Sequence, residues 1–193
     1  MSGSASSPAQ ALAAGVQALA EALRAAANDP ADQVRLLSVL AAFQAEPAPP
    51  AASPLAQARA EVSAATAAMC RRAALASLAR ACAAYRPSSY DDAATLLEQV
   101  APLFDLEITT AADAGDLASY AALKTLRADV VADLTARGAD LPRLVTLTFN
   151  APMPAFALAY RLYRDASRAI DLMNRNDAPH PAFMPATIEA LSS

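Results

Sequence analysis

"LVTLTF", residues Leu144 to Phe149, is the only clearly β-prone run in the chain, with two threonines and Val145 among its apolar residues. Its reading decides whether the protein is a plain set of helices or carries a second, mixed part. "NAPMP" (Asn150 to Pro154) follows as a turn. Ala155 to Arg164 and Ser167 to Arg175 then read as two short helices, with Asp165 as the N-cap between them. "NDAPHPAFMP" (Asn176 to Pro185) holds three prolines and reads as an irregular loop, and "TIEAL" (Thr187 to Leu191) closes as a second strand. The order strand, helix, helix, strand makes residues 141–193 a small βααβ module.

Working back from that run, the rest is helical. Ser6, Ser7 and Pro8 start a first helix, on which Leu12, Val16, Leu19 and Leu23 form one stripe. "NDP" (Asn28 to Pro30) ends it and opens a second, with Asp29 as N-cap and Pro30 at the first helical position. Val34, Leu37, Leu40 and Phe43 face one way, so residues 1–43 read as a helical hairpin. "QAEPAPPAASP" (44–54) is a proline-alanine linker. Residues 55–140 form a helical body. Leu55 to Tyr85 reads as one long helix with Leu75, Leu78, Cys82 and Tyr85 at helical spacing. A second helix runs from about Asp91 to Phe104, a loop covers Glu107 to Ala112, and a third carries Leu117 to Leu134. Asp91 and Asp92 favour the positive end of the helix dipole rather than acid–base work, and Gly138 reads as a left-handed cap. The expected fold is mainly α: an alanine-rich helical bundle or hairpins, followed by the βααβ module.

Alanine fills 55 of the 193 positions, so the 55% hydrophobic fraction overstates the core: alanine favours helix but buries little area. Stability is therefore expected to draw on a partner or on self-association. A net charge of −4 and one lysine, Lys124, argue against nucleic-acid binding, which rests on neutralising phosphates. Leu144 to Tyr160 is the longest strongly apolar uncharged run, but Asn150, Pro152 and Pro154 break it, so no membrane insertion is expected. No signal peptide is evident. Cys70 and Cys82 lie twelve residues apart on one helix, roughly 18 Å at ~1.5 Å per residue, too far for a disulfide.

No catalytic constellation stands out. One histidine and two distant cysteines do not make a metal set. The four glycines, at 3, 15, 115 and 138, give no phosphate loop, and there is no Gly-x-Ser-x-Gly elbow. The chain reads as a non-enzyme with no cofactor. Its distinctive residues gather between Tyr160 and Phe183. Arg161, Arg164 and Arg168 share a face if the two short helices run on, either as ion pairs with neighbouring aspartates or as a contact surface.

From about Leu141 to Leu191 the chain resembles the C-terminal end of the phage DNA circularisation protein family, the N protein of Mu-like phages. The matching elements are Ala159-Tyr160, Tyr163, Asp165-Ala166, Arg168, Arg175-Asn176, His180-Pro181, Phe183, Pro185 and Leu191. Two positions depart from the pattern: Arg164 and Ala186 stand where glycine is common. The family's usual N-terminal domain has no counterpart in this chain. The resemblance implies a tail or baseplate component, located in the virion tail or in the host cytoplasm during assembly. It also implies that the C-terminal part is a LysM-like module that docks onto hub or spike proteins, with copies of the chain associating in the particle. Tyr160, Tyr163, Arg164, Asp165, Arg168, Arg175, Asn176, His180 and Phe183 are the expected partner contacts. The alternative is a peptidoglycan-binding LysM-like module.

Overall fold

The computed structural model describes residues 7–45 and 53–192, and the greater part of the 44–54 stretch expected as a linker lies outside them. The described chain is mainly helical, with seven α-helices and one small two-stranded antiparallel sheet near the C-terminus. It divides into two compact units. One holds the described residues up to Arg86 together with Thr95–Thr135, and the other holds Pro87–Ala94 with Ala136–Ser193. The N-terminal pair of helices therefore belongs to the same unit as the long helix that follows.

In the first unit, α1 (Pro8–Ala26) begins on a capping box: the Ser7 hydroxyl accepts from the Gln10 amide, and the Gln10 side chain accepts from the Ser7 amide. α2 (Pro30–Ala41) begins on Asp29, whose carboxylate accepts from the Ala31 amide. Both pack against α3 (Pro54–Ala84). The expected stripe is buried only in part: Val16 and Leu23 are half-buried, with Leu23 packed on the core, whereas Leu12 and Leu19 are exposed and Ala20 is the fully buried residue. In α2, Val34 and Leu37 are buried as expected, whereas Phe43 lies beyond the helix and is exposed. The second half of α3 carries the core: Leu75, Leu78 and Cys82 are fully buried, each leucine adding about 1.5–3 kcal/mol relative to exposure. Its first turns, from Leu55 to Val62, are exposed. The helix is continuous between Cys70 and Cys82, and the two are not joined by a disulfide.

α4 (Tyr90–Asp113) corrects the expected loop at Glu107 to Ala112, running through it and through Pro102. Burial and a compensated carboxylate hold the helix there, and its two threonine hydroxyls find acceptors on it. Phe104 and Ala111 bury against the core, with Ile108 beside them. The hydroxyls of Thr109 and Thr110 donate to the carbonyls of Asp105 and Leu106 four residues back. The carboxylate of Glu107, fully buried, is met by two arginines of α3. The turn into α5 (Leu117–Ala139) uses Gly115 at φ 69°, the left-handed conformation that glycine tolerates.

Gly138 is not that kind of residue. It lies inside α5, and a Cβ there would come within 2.9 Å of the Ala93 Cβ. The glycine permits a close approach of two helix ends rather than a turn. Both residues belong to the second unit.

That unit continues with β1 (Leu144–Thr148), α6 (Ala155–Tyr163), a single 3-10 turn (Ala166–Arg168), α7 (Ala169–Arg175) and β2 (Thr187–Leu191). The strands pair antiparallel, with Leu144 opposite Leu191, Thr146 opposite Glu189 and Thr148 opposite Thr187. Leu158, Leu172, Met184 and Ile188 fill the core between helices and sheet. Asp165 caps the 3-10 turn by accepting from the Ser167 amide. Arg164, at φ 58°, takes the left-handed cap of α6, so the two helices do not run on and the expected shared arginine face does not form.

Candidate functional site

The nine residues expected to contact a partner separate into two groups. Five are engaged within the second unit. The Tyr163 hydroxyl accepts from the Leu191 amide at 2.8 Å. The Asn176 amide group donates to the carbonyls of Leu172 (2.8 Å) and Glu189 (2.9 Å) and accepts from the Glu189 amide at 2.7 Å. A backbone amide without a partner away from water costs about as much as a lost hydrogen bond, so these two side chains hold β2 against the helices. The Arg175 side chain is nine-tenths buried. It donates to Ser88 at 2.9 Å and lies 3.5 Å from Asp171 and 3.8 Å from Asp92. The Arg168 guanidinium sits 4.0 Å from the centre of the Tyr163 ring, a cation–π contact. Asp165 has its carboxyl held below the usual range by hydrogen bonds from the Ser167 hydroxyl and amide.

The other four face outward. Tyr160 is 57% and Phe183 73% exposed, and Arg164 and His180 are exposed as well. The loop that carries His180 and Phe183 is shaped locally: the His180 Nδ1 accepts from the Ala182 amide, and its ring centre lies 5.7 Å from that of Phe183. The Pro181 carbonyl accepts from the Ala155 amide at 2.7 Å and ties the loop to the start of α6.

Phe156 was absent from the expected set. It is 58% exposed and lies one turn before Tyr160, so α6 shows two aromatic rings side by side. The four-residue spacing of Phe156 and Tyr160 was the available signal. Arg161, also outside the set, stands 5.5 Å from the Phe149 ring centre and lines a shallow cleft of about 320 Å³ with Asn150 and Met153.

Asp91 and Asp92 stand in the first turn of α4, as the dipole argument placed them, and each also accepts a further bond. Asp91 takes the Leu144 amide at 2.6 Å, and Asp92 takes the Ser88 amide at 3.1 Å. In the first unit, Glu107 accepts from Arg71 Nε (2.6 Å) and Arg72 Nε (2.7 Å), while Arg72 also reaches Asp116 and Ser119. The Asp116 carboxyl is lowered to about 2 by the Ser119 hydroxyl and amide and by Arg72. These charges join α3 to α4 and to the turn after it. Among the described residues no group of histidine, cysteine or carboxylate side chains is placed to hold a metal ion, and no helix is long and apolar enough to cross a membrane.

No family model matches the chain, and no curated protein matches its sequence.

Proposed function

We propose that this chain is a structural component of a phage or phage-like tail baseplate, docking onto hub or spike proteins through its C-terminal module. The observation that carries the reading is the division of the sequence motif. Its polar members hold the module together, and Tyr160, Arg164, His180 and Phe183 remain outward. Tyrosine and arginine are enriched among the residues that dominate protein interfaces. The order strand, helix, helix, strand supports a LysM-like module. The reading assigns the chain no catalytic step, no cofactor and no nucleic-acid contact, the last in keeping with its net charge of −4.

The test is co-purification of the tagged chain with hub and spike proteins from assembling particles. Tyr160→Ala with Phe183→Ala should abolish capture while leaving the circular dichroism and melting of the purified chain unchanged. Normal capture and normal particle assembly with that variant would refute the proposal. Tyr163 is unsuitable as a probe, since its loss would leave the Leu191 amide without its partner.

The cleft beside Arg161 favours a second reading, a peptidoglycan-binding module. Retention on purified peptidoglycan, lost in Arg161→Ala, would support it. No retention would remove it.

A further inference from the structure

We propose that two copies of this chain pair through the free edge of β1, antiparallel about a two-fold axis, so that their two small sheets join into one. β2 runs along one side of β1, and the other side is open. The bonds from Ser192 to Arg143 and from Phe149 to Ala186 fix which backbone groups point which way: those of Leu144, Thr146 and Thr148 turn away from β2. The Leu144 amide is taken by Asp91 at 2.6 Å. Among the described residues, nothing accepts from the amides of Thr146 and Thr148 and nothing donates to their carbonyls. Both residues are exposed, so the edge is within reach of another molecule. Charge, proline or a bulge commonly blunts an edge strand. β1 reads LVTLT, with neither charge nor proline, and its register with β2 runs without a bulge.

What fits such an edge is an extended strand, and the side chains of β1 specify a second β1. Asp91 sets the register. A pairing centred on Thr146 would need the Leu144 amide, which Asp91 holds. A pairing centred on Leu147 uses only the free groups: the amide and carbonyl of Thr146 meet those of the second copy's Thr148, and the reverse. In that register Leu147 lies opposite its own symmetry mate and Val145 lies opposite Phe149. These residues share the face on which Leu147 and Phe149 pack against the core. Val145, 37% exposed in the single chain, thereby gains an aromatic neighbour. On the other face Thr146 lies opposite Thr148. Apolar side chains meet apolar ones and hydroxyls meet hydroxyls, and β-branched–aromatic and Thr–Thr pairs are among the stabilising cross-strand pairs.

Because both copies offer the same edge, the contact closes at two chains. The joined strands are short and cover well under the ~800 Å² per partner of a standard interface, which puts the dissociation constant on the order of 100 μM rather than in the nanomolar range. The proposal does not rest on the tail-component reading, since β1 is not among the residues assigned to hub contact and the pairing is measured on the purified chain alone.

The test is sedimentation equilibrium of the full chain at concentrations up to about 1 mM, where the mass should rise from one chain to two and stop there. Over the same range, amide hydrogen exchange at Thr146 and Thr148 should slow, while exchange at Leu144 holds steady. Thr146→Lys with Thr148→Lys sets like charges opposite each other across the axis and leaves the backbone bonds of the sheet in place. Both side chains are exposed, and an unchanged circular dichroism spectrum checks the fold. This variant should remain at the mass of one chain throughout. A wild type that stays at one chain would overturn the proposal, as would a mass beyond two. A dimer whose Thr146 and Thr148 amides exchange as fast as in dilute solution would overturn it equally, and so would a folded double-lysine variant that still dimerises. The exchange measurement needs no substitution, so it decides the matter even where the variant fails to fold.

Discussion

Glu107→Gln removes one negative charge from a place where two guanidiniums converge. The Glu107 side chain is 1% exposed and that of Arg71 10%, so neither charge finds water once the pair is broken. The glutamine oxygen can accept from only one of the two guanidiniums; beyond it Arg71 has the Phe43 carbonyl at 3.2 Å, whereas Arg72 retains Asp116 and Ser119. Breaking a buried ion pair by removing one partner costs about 3–5 kcal/mol. One of the two arginines keeps its other acceptors, which places the loss near the lower end, about 3 kcal/mol. For a chain of this size that corresponds to a fall in melting temperature of roughly 6–12 °C. Thermal unfolding followed by far-ultraviolet circular dichroism measures it directly. Removing the second charge as well, in Glu107→Gln with Arg71→Met, should recover much of the loss, because no uncompensated charge is then left inside. A loss below about 1 kcal/mol in the single variant, or no recovery in the double, would refute the view that the pair is held by mutual compensation.

Three further outcomes are expected. Asn176→Ala removes the side-chain partner of the exposed Glu189 amide and carbonyl, which water then meets, and should cost about 0.5–1.5 kcal/mol, with faster hydrogen exchange at the Glu189 amide as the local signature. Arg164→Gly relieves a left-handed backbone at φ 58° and should raise the urea midpoint by about 0.5 kcal/mol of stability, the steric relief exceeding the entropy that glycine loses on folding; a lower midpoint would contradict this. The Glu21 carboxyl is lowered from 4.5 to about 2 by the Ser77 hydroxyl, against some burial, and by Arg24 and Arg80. A depressed carboxyl binds fewer protons folded than unfolded, so its contribution is full above pH 4.5 and disappears as pH falls toward 2. The stability of Glu21→Gln should therefore fall less steeply over that window in urea titrations.

Local chemistry was the most legible part of the sequence. Asp29 and Asp165 announced their caps, because a cap needs only a short polar side chain and the next few amides. The Leu75, Leu78 and Cys82 spacing announced the buried side of α3. What depended on a distant neighbour was hidden. Glu107 looked like a loop residue because a charge followed by Ile108, Thr109 and Thr110 favours helix weakly, and only the arginines of α3 make that position acceptable inside. Gly138 looked like a cap because nothing local reveals that Ala93 approaches it. At the candidate site, Tyr163, Arg175 and Asn176 looked like contacts for a partner because they are distinctive and polar. In the structure they bond to backbone groups and carboxylates far away in sequence, which residue type alone does not show.

The hydrogen-bonding pattern of the small sheet has one more consequence. Ser192 bonds to Arg143 and Phe149 to Ala186, so Leu144, Glu189 and Leu191 turn their amides away from the opposite strand. Each of those three outward amides is already taken, by Asp91, Asn176 and Tyr163 respectively. A two-stranded sheet has two open rims, each a template for a further strand from another molecule. On the β2 rim Asn176 and Tyr163 occupy those positions, so adding a strand beside β2 would require breaking internal bonds first. Recognition by strand addition at β2 is thereby disfavoured, and so is edge-to-edge aggregation through that strand.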